Sequence, residues 1–234
     1  NSIGDRSKLH RRDCQDVFSH IIDICINENA DVLLIAGDLF DSPNPSKAIV
    51  TFVIDELKRL KDKNIPVFIS SGNHDPHISG SLWFSYKFPP NVIIFDTNNL
   101  EPKTVGNITV YGLAYTNNTK EPLKDFKAEK SDNFKIGLIH GSTTNIKVEE
   151  DPESGYRPIK VAQIDNSDLD YIALGHFHDL LEVKGKVKTF YCGSPEGLTF
   201  KNSPNSCILV GTYSDEKVTV KPKTTAIREF HTIE

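Results

Sequence analysis

Residues 72–75, Gly-Asn-His-Asp, set a carboxamide, an imidazole and a carboxylate side by side after an apolar run, Val67-Phe68-Ile69. A carboxamide oxygen is a hard donor to a divalent cation. An imidazole beside that cation could donate to a phosphate oxygen or protonate a leaving group, and a neighbouring carboxylate could hold the ring. Three other apolar runs end in residues of the same kind. Residues 32–36 end in Gly37-Asp38, residues 136–139 end in His140, and residues 171–174 end in Gly175-His176-Phe177-His178. Read singly, an Asp after a glycine caps a turn and a Gly-Asn pair makes one. Four such ends in chain order point instead to a hydrolase with two metals.

The predicted ligands are Asp38, Asn73, His140, His176 and His178, a mixed oxygen and nitrogen set that suits manganese, iron or zinc. His176 and His178 are one residue apart, so an extended segment would turn both rings to one side and Phe177 to the other. His74 is the predicted catalytic group, Asp75 its orienter, and His77 a substrate contact. Two cations about 3.5–4 Å apart would polarise a phosphoryl group and activate a bridging water for in-line attack, with His74 stabilising or protonating the leaving oxygen.

For these residues to meet, the runs that carry them must be strands whose carboxyl ends share an edge, where open α/β sheets bind ligands. Residues 11–29 carry Cys14, Val17, Phe18, Ile21, Ile22 and Cys25 at three- and four-residue spacings, which predicts an amphipathic helix. A strand follows at 32–36. Asn44 before Pro45 predicts an N-cap with proline in the first helical position, opening a second helix through Lys63. Its buried stripe is Ile49, Val50, Val53, Ile54, Leu57 and Leu60. Another strand opens at Pro66. From residue 91 short strand patterns dominate: 92–95, 108–111, 134–139, 171–174, 181–183, 187–191, 206–211 and 217–221. Hairpin turns are expected at 184–186 and 214–216, and polar connections at about 116–132 and 143–155. The whole reads as one domain, residues 1–234, of two sheets face to face with helices outside.

A chain of 234 residues can bury one substantial core. A net charge of −5 argues against a protein that coats polyanions, although bound cations and local basic clusters leave a nuclease open. The cluster Arg6, Lys8, Arg11 and Arg12 directly precedes the helical stripe, and Arg11 and Arg12 are candidate substrate contacts. The four cysteines, Cys14, Cys25, Cys192 and Cys207, form no C-x-x-C pair and read as buried reduced thiols, which fits the cytoplasm. No apolar run has membrane-spanning length.

These motifs resemble the signature of the calcineurin-like metallophosphoesterases: Gly37-Asp38, Gly72-Asn73-His74-Asp75, His140 and Gly175-His176-Phe177-His178. Further stretches are similar to the SbcD-type nucleases of DNA double-strand-break repair. They are Ala36-Gly37-Asp38-Leu39-Phe40-Asp41-Ser42, the run from Tyr191 to Phe200, Arg12-Asp13 with Phe18, and Arg228-Glu229-Phe230. The resemblance implies a four-layer α/β/β/α sandwich of two mixed sheets flanked by helices. It implies that Asp38 bridges both metals, that Asn73, His140 and His176 complete one site, that His178 serves the other, and that His74 is catalytic. It further implies two divalent ions, manganese foremost with iron, zinc or magnesium as alternatives. DNA is the implied substrate, an SbcC-type ATPase the implied partner, and a homodimer a further expected assembly. Competing expectations are a phosphodiesterase or phosphatase acting on nucleotides or small phosphoesters, and a non-catalytic binding module.

The chain departs from the family pattern in two ways. The family's opening Asp-x-His motif does not occur within these residues, and neither does the capping domain that follows the phosphoesterase domain. The Asp-x-His pair ligates the metal that His178 also serves, so that position is expected to bind more weakly. Asp41 stands where some nucleases of the group carry a histidine.

Overall fold

The computed structural model describes residues 3–116, 121–144, 157–197 and 206–227, with side chains from residue 9 onward. Leu198-Thr199-Phe200, Arg228-Glu229-Phe230, His231 and most of the 143–155 connection lie outside the described residues.

Helix α1 (Ile3–Asn27) starts about two turns earlier than its apolar stripe, because no proline stops it there. It buries Val17, Ile21, Ile22 and Cys25 as the spacing predicts. Strand β1 (Leu33–Ala36) leads to α2 (Lys47–Lys61). The N-cap of α2 is Ser46, whose hydroxyl accepts from the Ile49 amide at 3.4 Å, and Pro45 precedes the cap. The predicted Asn44–Pro45 start therefore falls two residues early: a serine hydroxyl reaches the open amide of the first turn. Val50, Val53, Leu57 and Leu60 of α2 are buried, with Ile49 and Ile54 packed at their margin. Arg59 of α2 pairs with Asp23 of α1, which commits part of the basic last turn to a helix–helix tie.

Strands β2 (Val67–Ser70) and β3 (Val92–Ile94) complete a parallel sheet of order β1-β2-β3, and the one-turn helix α3 (Leu82–Ser85) lies between them in sequence. The second sheet holds β4 (Glu101–Val105), β5 (Ile108–Gly112), β6 (Phe134–His140), β9 (Tyr171–Gly175), β10 (Leu181–Val183) and β11 (Lys188–Tyr191). Its order is β10-β11-β9-β6-β5-β4, parallel in the middle and antiparallel at both edges. Short pairs β7 (Ser142–Thr143) and β8 (Pro158–Ile159) follow β6, and helix α4 (Val161–Asp165) follows β8. A long ribbon, β12 (Cys207–Ser214) with β13 (Lys217–Thr224), closes the described chain. Its turn at Asp215-Glu216 has both φ angles positive, 50° and 60°, the twist a two-residue hairpin requires.

The layers follow from which faces are apolar. Phe68, Phe95, Val110, Ile136 and Leu138 fill the space between the sheets. Helices α1 and α2 cover the outer face of the parallel sheet. Leu123, Ala128, Ile164 and Leu169 cover the outer face of the mixed sheet, over Ile139, Ile172 and Leu174. The α/β/β/α order stands, with two corrections. The smaller sheet is parallel rather than mixed, since each of its strands is reached by a long crossover rather than a hairpin. The fourth layer is slight, a five-residue helix and an irregular segment. Strand β4 has no signature in the sequence because it is an exposed edge with Pro102 and no apolar alternation.

The two sheets approach closely where β1 and β9 end. A β-carbon at Gly175 would lie 1.8 Å from the carbonyl oxygen of Ala36, a backbone atom that cannot rotate away. Gly175→Ala is therefore expected to destabilise the fold by about 1–3 kcal/mol or more, the range for overpacking a tight interior. Urea denaturation reads this directly, and a variant as stable as the parent would mean that the sheets are free to separate there.

Candidate metal centre

Strands β1, β2, β6 and β9 all deliver their carboxyl ends to this edge. Ala36 ends β1, Gly37 follows at φ 89°, and Asp38 sits at φ 52°, an uncommon left-handed value for a residue with a β-carbon. His140 is the last residue of β6 and is 1 % exposed in its side chain. Its Nδ1 lies 2.8 Å from the Ala36 carbonyl. A carbonyl only accepts, so Nδ1–H is the donor and the neutral ring keeps its lone pair on Nε2. That atom is 2.8 Å from Asn73 Oδ1 and 3.2 Å from Asp38 Oδ2. His176 joins from the end of β9, with Nδ1 3.2 Å from the same Asn73 oxygen and its ring edge-on to His140 at 5.4 Å.

This donor set fits a divalent cation. Ligands about 2.1 Å from one octahedral centre stand about 3 Å apart, which is the spacing of these nitrogen and oxygen atoms. The backbone carbonyl on Nδ1 is the usual outer partner of a metal-binding histidine. Among the described residues no three His, Cys, Asp or Glu side chains converge on one point. The site closes only with the Asn73 carboxamide as a member. Burial alone would raise the Asp38 carboxyl; a hydrogen bond from His140 when its ring is protonated, and one from the amide of His74, lower it.

Asp75 has a different job from the one expected. It is fully buried, and its carboxylate accepts from the amides of Gly72 at 2.6 Å, Asp38 at 3.2 Å and Phe40 at 3.1 Å. Both oxygens are thus occupied in binding the loop after β2 to the loop after β1. Burial pushes this carboxyl up to about 7, with the Gly72 amide pulling it down. The partner of the His74 ring is Asp41, with Oδ1 3.1 Å from Nδ1. The sequence holds the signal, since Asp41 is three residues past Asp38 on the same tight loop. The His74 amide donates to Asp38 Oδ1 at 2.9 Å, so the candidate catalyst and the candidate ligand are tied through backbone. A β-carbon at Gly72 would sit 2.1 Å from that same Asp38 oxygen.

Three of the five predicted ligands, Asp38, Asn73 and His140, therefore meet, and His176 reaches the group through the Asn73 oxygen. His178 is exposed, and among the described residues its ring has no hydrogen-bond partner. The extended geometry that would have placed both histidines on one side does not hold, because His176 has φ 112°. Phe177 packs inward on Tyr191 as expected. The His77 ring meets that of Phe84 at 4.7 Å with the planes tilted by 51°, and its amide donates to the Tyr115 carbonyl at 2.7 Å. Burial lowers the pKa of its ring. Arg11 and Arg12 are exposed on α1, Arg12 facing Asp16 at 3.9 Å, and among the described residues neither bonds to the cluster. Pattern reading passed over Tyr115 and Arg157, which pack behind His140.

A match to the calcineurin-like phosphoesterase family covers residues 7–180. The chain belongs to that family. Its relatives include the DNA double-strand break repair protein Mre11 of Sulfurisphaera tokodaii, 32% identical over 80% of this chain and 49% of the relative. A protein of the same description from Methanosarcina acetivorans is 28% identical over 96% of this chain and 37% of its own length. An uncharacterized metallophosphoesterase of Bacillus subtilis, YhaO, is 32% identical over 68% of this chain and 39% of its length. The chain thus spans about half or less of these relatives. The crystal structure of TT1561 of Thermus thermophilus superposes with a TM-score of 0.53 at 10% identity, over 88% of this chain and 92% of that one, a likeness of fold.

Asp75→Asn should leave at least one buried amide without an acceptor, because the carboxamide has a single accepting oxygen. The expected loss of stability is about 1–3 kcal/mol, measured by urea denaturation without added metal. Unchanged stability would contradict the loop-binding role.

Proposed function

We propose that this chain is the phosphoesterase domain of a metal-dependent nuclease that hydrolyses DNA phosphodiester bonds. The observation that carries the reading is the meeting of Asp38 Oδ2 and Asn73 Oδ1 at His140 Nε2, with His74 beside it facing Asp41. Asp38, Asn73, His140 and His176 would hold one divalent ion, manganese foremost, and Asp38 with His178 would serve a second. Bound divalent ions supply positive charge for the phosphoryl oxygens and lower the pKa of water.

The remaining chemistry belongs to the chain's own groups. Asp41, whose side chain is exposed, accepts the Nδ1 proton of His74, which leaves Nε2 to hold and deliver a proton to the leaving oxygen. Asp75 keeps the Asp38 and Asn73 loops in register throughout. His77 and Phe84, on the segment after His74, form an aromatic pair that a nucleotide could meet. The Mre11 description of the relatives supports DNA as substrate, and an SbcC-type ATPase is the expected partner. No helix among the described residues is long and apolar enough to cross a membrane.

With manganese, the protein carrying the opening Asp-x-His strand should cleave a DNA oligonucleotide as well as bis(p-nitrophenyl) phosphate. Cleavage of small diesters alone would reassign it to small-molecule phosphodiesters. In a version of the protein that carries the opening Asp-x-His strand, His74→Ala is expected to lower DNA turnover about 10²–10⁴-fold, the range for a general acid, while manganese affinity stays near the parent value. Asp41→Asn should act in the same direction but spare p-nitrophenolate, a leaving group that needs no proton. His140→Ala should instead lose metal. A His74→Ala protein that loses its metal, or recovers activity at saturating manganese, would move His74 among the ligands.

A further inference from the structure

Arg157 is the largest side chain buried below 2 % exposure, and it sits at φ 45° between β7 and β8 in the chain's path past the site. Its Nη2 donates to the Ala114 carbonyl and to Asn98 Oδ1, both at 2.7 Å. Its Nε and Nη1 have no hydrogen-bond partner among the described residues, and no carboxylate among them pairs with it. Burial lowers the guanidinium to about 10. An interior guanidinium in a left-handed turn is unfavourable on both counts, and such arrangements concentrate where a site needs them.

What the guanidinium touches explains its presence. It lies over the ring of Tyr115, 4.6 Å from the centroid. The Tyr115 ring stands edge-on to His140, with centroids 6.0 Å apart and planes at 88°. The backbone of Tyr115 also fixes the other half of the site: its amide donates to Ser71 Oγ at 2.8 Å, and its carbonyl accepts from His77 at 2.7 Å. Arg157 grips this segment by the Ala114 carbonyl and by the face of the Tyr115 ring. A β-carbon at Gly141, next to His140, would lie 2.7 Å from the Arg157 carbonyl, so the two backbones are also in contact.

We infer that Arg157 is a positioning residue for the metal-binding histidine His140, acting through a cation–π contact with Tyr115. The inference rests on the reading that His140 holds a metal. A planar cation stacked on the ring keeps Tyr115 from rotating, and the ring edge keeps His140 aimed at Asp38 and Asn73. Removing an outer partner of a metal-binding histidine weakens metal affinity about 10–100-fold, and a comparable effect is expected here across one more contact.

The test uses the 234-residue chain, manganese titration by calorimetry, thermal melting, and detection of the His140 Nδ1–H resonance by proton–nitrogen NMR without metal. Arg157→Met and Tyr115→Leu should weaken manganese binding about tenfold or more and shift or broaden that resonance. Tyr115→Phe, which keeps the ring, should restore both readouts. Parent affinity and an unmoved resonance in folded Arg157→Met would overturn the inference. If Arg157→Met gives no cooperative melt, folded Tyr115→Leu decides: it removes the ring between Arg157 and His140, and parent values in both readouts would overturn the inference equally. His140→Ala separates the two claims. If it binds manganese like the parent, the metal reading falls. If it loses manganese while Tyr115→Leu does not, only the role of Arg157 and Tyr115 falls.

Discussion

The bond from His140 Nδ1–H to the Ala36 carbonyl is the joint on which the rest of the site turns. It links the last residue of a strand in the mixed sheet to the last residue of a strand in the parallel sheet. Packing between the sheets is apolar and without direction, so it brings the layers together but does not set their register at the edge. The hydrogen bond does. It is possible because Gly175 carries no β-carbon where Ala36 approaches. Once made, it commits Nδ1, so the remaining ring nitrogen faces the oxygens that the two loops present.

Those oxygens are held by a second buried device. Asp75 collects three amides from two loops, and these loops bring Asp38 and Asn73 to His140 Nε2. The product is a crowd of lone pairs in a mostly buried pocket, unfavourable alone and favourable around a cation. Three residues with β-carbons and positive φ lie at or behind this edge: Asp38, Arg157 and His176. Such backbone strain persists only where surrounding contacts over-determine it. The glycines, Asp75 and the Tyr115 segment supply those contacts.

Much of this could be read from residue types and spacing. Apolar runs ending in Asp38, Asn73, His140 and His176 report strands that share an edge, because a buried strand must stop where polar ligands begin. Other features have no local signature. Asp75 is next to His74 in the chain, yet its oxygens point to amides that are distant in sequence, and adjacency suggested the wrong partner. Asp41 reaches His74 only because Asp38 takes a left-handed turn. Arg157 reads as one more surface cation until the fold buries it against Tyr115. His178 follows His176 at ligand spacing, but the kink at His176 removes the extended geometry on which that spacing depends. Edge strand β4 and the serine cap of α2 depended on burial and on one hydroxyl, neither of which periodicity reports.

The central claim is that Asp38, Asn73 and His140 share a cation. Anomalous diffraction from crystals grown with manganese and collected at its absorption edge tests it most directly. A peak is expected about 2.0–2.3 Å from Asp38 Oδ2, Asn73 Oδ1 and His140 Nε2, with His140 Nδ1 still bonded to Ala36. A peak bound by other residues, or no peak at saturating manganese while the three side chains stay bonded to one another, would contradict it.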